Sequence, residues 1–166
     1  MLRGNIHFLD NPPMKLEDAI KQKSFRSEGH KLNLNIIHTY SWLTNQQKSY
    51  YEEHGLTMQQ YNVLRILRGH YPDPYSTHMI RERMLDKMSD VSRIVDRLCK
   101  KGLVLSSKCA TDKRLVDVVI SDEGLRLLKQ MDASIDKLSE LFNNLSDSEQ
   151  ATLNDLLDKV RNGSED

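Results

Sequence analysis

The sequence predicts a mostly α (α+β) fold, with long helices towards both ends and, between them, two short helices, a turn and a two-stranded β-hairpin. Three observations predict it. Apolar residues recur at helical spacing over most of the chain. Serine or threonine heads successive periodic stretches, at Thr57, Ser76 or Thr77, Ser89, Ser121 and Ser146, which divides the chain into separate helices. Two runs of strand character, 103–109 and 114–120, flank the short segment 110–113.

Taken in order, residues 1–13 read as a flexible N-terminal extension, because Asn11-Pro12-Pro13 breaks the chain before Met14, itself a candidate start. Residues 14–24 have the pattern of a short helix. A stronger helix covers 30–53, with Leu32, Ile36, Ile37, Tyr40, Leu43 and Tyr50 near one stripe and Gly55 as terminator. The next begins at Thr57, which forms a capping box with Gln60; Tyr61, Leu64 and Leu67 supply its apolar face, and Gly69 ends it. Prolines exclude 70–74 from helix. Ser76 or Thr77 caps a short helix to about Leu85, with Met79, Ile80 and Met84 inward. Asp86-Lys87-Met88 is a tight turn.

Ser89 then opens a helix to Lys101, burying Val91, Ile94, Val95 and Leu98 and presenting Asp90, Arg93, Asp96, Arg97 and Lys100 on its other face. Gly102 caps it, and the hairpin follows. Ser121-Asp122-Glu123 starts a long helix along which Leu128, Met131, Ile135, Leu138, Phe142 and Leu145 make a heptad-like seam. Ser146 with Glu149 starts a last helix bearing Leu153, Leu156, Leu157 and Val160.

Composition narrows the function. The chain has 166 residues, 29% charged and 6% aromatic, which fits one folded domain rather than a disordered chain. No apolar run approaches the roughly 20 residues that span a bilayer, and the N-terminus has no secretory pattern. Cys99 and Cys109 lack metal or redox spacing and read as reduced thiols of a cytoplasmic protein, Cys99 beside the core and Cys109 near the hairpin tip. The histidines, at 7, 30, 38, 54, 70 and 78, form no HExxH, and no P-loop, GxGxxG or catalytic Ser/His/Asp order occurs. An enzyme is disfavoured, and neither cofactor nor metal is expected.

Net charge is zero, but its distribution is uneven. Residues 1–75 carry 9 Lys/Arg against 7 Asp/Glu, residues 76–114 carry 10 against 5, and residues 117–166 carry 5 against 12. A basic middle beside an acidic end gives one face suited to a polyanion. Two short helices, a turn and a hairpin make a winged helix-turn-helix. The helix from Ser89 fits a major groove, where its first turns reach base edges. The charged tip, Asp112-Lys113-Arg114, suits phosphates or the electronegative minor groove. A winged helix used only for protein contacts is the alternative, kept open by the zero net charge and the acidic C-terminal segment.

LTMQQYNVLRIL at 56–67, STHMIRERM at 76–84, DVSRIVDRLCKKGLV at 90–104, DKRLVDVVIS at 112–121 and DEGLRLL at 122–128 together resemble the MarR family of bacterial transcription regulators. LTMQQYNVLRIL at 56–67 is similar to the helix before the family's DNA-reading unit, and STHMIRERM followed by DVSRIVDRLCKKGLV to its helix-turn-helix. Asp112-Lys113-Arg114-LVDVV-Ile120-Ser121 resembles the wing motif, and DEGLRLL continues as the family's long helix does.

The resemblance, over roughly 30–160, implies an obligate homodimer packed through its first and last helices, here 14–55 and 121–162, around a DNA-binding lobe at 56–120, all within a single domain, 14–166. Two reading helices then address the halves of a near-palindromic operator on double-stranded DNA. It implies that Arg114 enters the minor groove while Asp112 holds the tip by pairing with a nearby arginine. Ser89, Asp90, Ser92 and Arg93 match the exposed start of the reading helix, and Ser76, Thr77 and His78 a helix start that meets phosphate. Lys87, Arg97, Lys108 and Lys113 complete the DNA-facing set. Family members commonly lose DNA affinity when a small, often aromatic and acidic, ligand enters a cleft between the dimer helices and the lobe, so the chain is expected to be a ligand-relieved repressor. His38, Tyr40 and Trp42 are candidates for lining that cleft, beside the plainer reading that they pack in the fold. No cysteine precedes Cys99, which disfavours peroxide sensing through the N-terminal helices.

Overall fold

The computed structural model describes residues 14–108 and 116–162. The extension 1–13, Cys109 and the hairpin tip with Asp112, Lys113 and Arg114 lie outside the described residues. The chain forms two units, one up to Ser49 and one from Tyr50.

In the first unit, α1 (Leu16–Ala19) is a single turn, shorter than the expected 14–24. It stops because Lys21 adopts φ 54°, the left-handed conformation. Gln22 N then donates to Glu17 O (3.0 Å) and Lys21 N to Asp18 O (3.3 Å), the bond pair of a Schellman cap with lysine in the place usually held by glycine. The long helix α2 (Glu28–Glu52) begins here and runs on into the second unit. Its expected stripe is open over this half: Leu32, Ile36, Ile37 and Tyr40 are all exposed. Gly55 ends the chain's turn after α2 with φ 66°, as expected of a terminator.

The second unit carries the core. Helix α3 (Met58–Arg68) starts on the expected capping box: Gln60 N donates to Thr57 Oγ1 (3.2 Å) and Thr57 N to Gln60 Oε1 (3.1 Å). Tyr61, Leu64 and Leu67 are buried, and Val63 joins them. Helix α4 (Thr77–Arg83) is capped by Ser76, whose hydroxyl accepts from Met79 N (3.2 Å). Ile80 and Met84, one turn apart, are buried; Met79 was expected inward but is 40% exposed. It precedes Ile80 by one residue, about 100° round the helix from that stripe. Helix α5 (Val91–Lys100) buries Val91, Val95 and Leu98 at i, i+4 and i+7. Fully burying a side chain such as Leu64, Ile80 or Leu98 stabilises the fold by about 1.5–3 kcal/mol.

The sheet has three strands rather than the two expected. β2 (Val104–Lys108) and β3 (Val116–Ile120) form the antiparallel hairpin, with Leu105 opposite Val119 and Lys108 opposite Val116. A short strand β1 (Tyr75–Ser76) pairs with the other edge of β3, Tyr75 opposite Val118, giving the order β1-β3-β2. The strand that returns from the tip is therefore central. Val118 and Ile120 point into the core at period two.

The long helix expected from Ser121 is broken into α6 (Asp122–Asp132), α7 (Asp136–Ser139) and a 3-10 turn (Glu140–Phe142), and the separate last helix follows as α8 (Asp147–Asn162). The Met131 carbonyl explains the first break. It accepts from the Tyr50 hydroxyl (2.8 Å), Ser134 Oγ (3.2 Å) and Ser134 N (3.0 Å), so the next helical bond is diverted from i+4 to i+3. The seam still packs: Leu128 and Met131 are fully buried, and Ile135 and Leu138 lie against the core. Ser146 and Glu149 make their capping box, Ser146 N donating to Glu149 Oε2 (2.8 Å), and that bond holds the Glu149 carboxyl below its usual range. No residue of α8 is buried. No described helix is long and apolar enough to cross a membrane.

Candidate nucleic-acid interface

The site is the outer face of α4, the turn after it and α5. Three polar side chains shape that turn. Asn62 on α3 accepts from Leu85 N through Oδ1 (3.0 Å), fixing the exit of α4. Asp86 accepts from Met88 N (3.0 Å) through one carboxylate oxygen and from Ser89 Oγ (2.9 Å) through the other. Asp90 caps α5, accepting from Arg93 N (3.1 Å). The turn's backbone is thus held from within, and α5 is presented rigidly.

The expected residues divide by what their side chains do. Ser76 is buried and caps α4. Ser89 is tied to Asp86, and Asp90 to the start of α5, one residue later than the Ser89 cap expected. These three position the helices. Lys87 is exposed and its amine donates to the Glu82 carbonyl near the end of α4. His78 is exposed, with Nδ1 3.8 Å from Glu82 one turn on. Thr77, at the first position of α4, is half-buried. Lys108 closes β2 opposite Val116. On α2, His38, Tyr40 and Trp42 are all exposed in the single chain.

Ser92, Arg93 and Arg97 are exposed on α5. Arg93 and Arg97 stand one turn apart, and neither guanidinium makes an ion pair among the described residues. Arg65 and Arg68 differ: both are bound to Asp132. A depression of about 330 Å³ opens between the start of α3 and the polar side of α5, lined in part by Gln59, Arg93 and Arg97. Gln59 and Asn62 were not singled out from sequence; Asn62 acts across 23 positions, beyond the reach of any local pattern.

Comparison with known proteins decides the family. The chain is 30% identical to a MarR transcription factor from Planctomyces limnophilus, over 81% of this chain and 98% of that one, with a TM-score of 0.64. The chain belongs to the MarR family. The family model, described as MarR family, matches residues 56–116, from the residue before the α3 cap to the first residue of β3. A mutant MarR from E. coli, solved in complex with operator DNA, is 26% identical over 83% of this chain and 99% of that one, with a TM-score of 0.73. The HTH-type transcriptional repressor MdtR of Bacillus subtilis (strain 168) is 36% identical over 73 residues, 44% of this chain and 46% of that protein. This MarR-family chain is a DNA-binding transcriptional regulator with a winged-helix fold.

Proposed function

We propose that the chain is a cytoplasmic, homodimeric repressor that binds a near-palindromic operator and releases it when a small aromatic or acidic ligand binds. The observation that carries the DNA-reading part is the Arg93/Arg97 pair, two cations without an ion pair among the described residues, on the exposed face of a helix whose turn is internally fixed. In this reading α5 lies in the major groove, with Ser92 and Arg93 towards base edges and Arg97 towards the backbone. Thr77, His78 and Lys87 meet phosphate. Lys108 and Lys113 flank the wing, Arg114 enters the minor groove, and Asp112 positions it. Ser76, Ser89 and Asp90 set the helices in place.

The homodimer is supported by two uncovered apolar stripes. Leu32, Ile36 and Tyr40 repeat every four residues on α2, and Leu153, Leu156 and Val160 line α8. Tyr40 belongs to the first of these. It stands about 200° round α2 from His38 and from Trp42, so those two, one turn apart, are the better candidates for a ligand wall.

Selection of bound sequences from random duplexes by the purified protein tests the reading. A palindrome with half-sites about 10 bp apart is expected from two reading helices one DNA turn apart. No enriched sequence, with retention on DNA insensitive to salt, would favour a protein-contact module instead.

A further inference from the structure

The turn between α4 and α5 exposes two large apolar side chains, Leu85 at 81% and Met88 at 92%. Nothing in the fold requires them. The turn is closed by Asn62, Asp86 and the Ser89 hydroxyl, and Met88 contributes only its backbone N–H to that closure. Its side chain is left in solvent, at a place where small or polar residues ordinarily sit. Single exposed apolar residues are common on protein surfaces. Met88, however, stands two residues before the Asp90 cap, at the mouth of the helix that presents Ser92 and Arg93. That end of a reading helix is the part that meets base edges.

We infer that Met88 is a specificity residue whose thioether side chain packs on the C5-methyl group of a thymine in each operator half-site. The thymine methyl is the one apolar feature of the major groove, and an apolar side chain is what recognises it. Methionine suits the task because it is unbranched, polarizable and adaptable in its contacts. The inference rests on the reading of α5 as the groove helix.

The test uses the selected operator and a series in which each thymine is replaced in turn by deoxyuridine, which removes only the methyl. One replacement per half-site is expected to weaken wild-type binding about fourfold, the worth of one buried CH₂. Met88→Ala is expected to bind the thymine operator less well and to lose that sensitivity. Met88→Leu is expected to keep it, and an exposed side chain permits both variants to fold. Arg93→Ala is the control for the underlying reading. If no replacement weakens the wild type while Arg93→Ala does, the Met88 inference is overturned and the groove helix stands. If wild type and Met88→Ala respond equally to every replacement, the inference is likewise overturned. If Arg93→Ala binds every duplex as the wild type does, the groove reading itself falls.

Discussion

Arg68 grips both carboxylate oxygens of Asp132, at 2.6 and 3.3 Å, and so ties the end of α3 to the last residue of α6. Arg65, one turn earlier, adds a bond of 2.9 Å to the same carboxylate. The Arg68 hydrogen bonds, with the charges of both arginines, hold the Asp132 carboxyl below its usual range. The pair of cations bound there is fixed to the fold, unlike Arg93 and Arg97.

Asp132→Asn is therefore expected to destabilise the protein at pH 7. The groups are partly exposed, so solvent screening limits the loss to about 1 kcal/mol. A carboxyl with a lowered folded-state pKa contributes fully above its unfolded value, near pH 4. The contribution disappears as pH falls through the folded value. Urea unfolding of both proteins should thus show a gap at pH 7 that narrows below pH 4. A constant gap would mean that the lost contact is not ionic.

Gly124 makes a second sharp case. A Cβ at this position would lie 2.3 Å from the Leu103 carbonyl oxygen and 2.7 Å from Ile120 Cγ1. Both belong to the seam where α6 leaves the sheet: Ser121 N donates to Leu103 O (3.1 Å), and the Ser121 hydroxyl donates to Gly102 O (2.7 Å) while accepting from Gly124 N (3.1 Å). Gly124→Ala must push the helix off the strand or break that cap. A loss of about 2–3 kcal/mol is expected, at the upper end for overpacking. The urea midpoint should fall with little change in slope.

These two contacts mark the limit of what the sequence discloses. The caps at Thr57, Ser121 and Ser146 were legible because cap and partner sit three residues apart. The buried face of α5 was legible from its spacing. The pairing of Tyr75 with Val118 was not, since a two-residue strand has no periodicity of its own. The seam through Ile135 and Leu138 identified residues that pack, but spacing alone does not require a continuous helix. The break depends on the Tyr50 hydroxyl, which arrives at Met131 from 81 positions away. At the interface, Arg93 and Arg97 were legible as a polar face. Their freedom from Asp90 became visible only once that carboxylate was seen capping α5.

Arg114→Ala is expected to weaken operator binding substantially while leaving the dimer folded. A gel-shift titration at fixed salt measures the first and circular dichroism the second. Phosphate and minor-groove cations also displace counterions, so the slope of log affinity against log salt should become shallower by about two, one for each protomer of the dimer. An unchanged slope with unchanged affinity would remove the wing arginine from the interface.

The exposed stripe on α8 separates folding from assembly. Leu153 and Leu156 are 43% and 55% exposed, and α8 has no buried residue, so replacing both by glutamate removes little from this chain's own core. Two carboxylates in an apolar helix-to-helix contact, by contrast, are costly to desolvate. Leu153→Glu with Leu156→Glu is expected to sediment as a monomer while keeping its helical circular dichroism. The wild type's thermal midpoint should rise with protein concentration, as it must when assembly stabilises the fold, and the variant's should not. A monomer has one reading helix, so binding to the two-half-site operator should fall by about a thousandfold, the lower end of the gap between specific and non-specific binding. A double variant that still sediments as a dimer would move the dimer contact off this stripe.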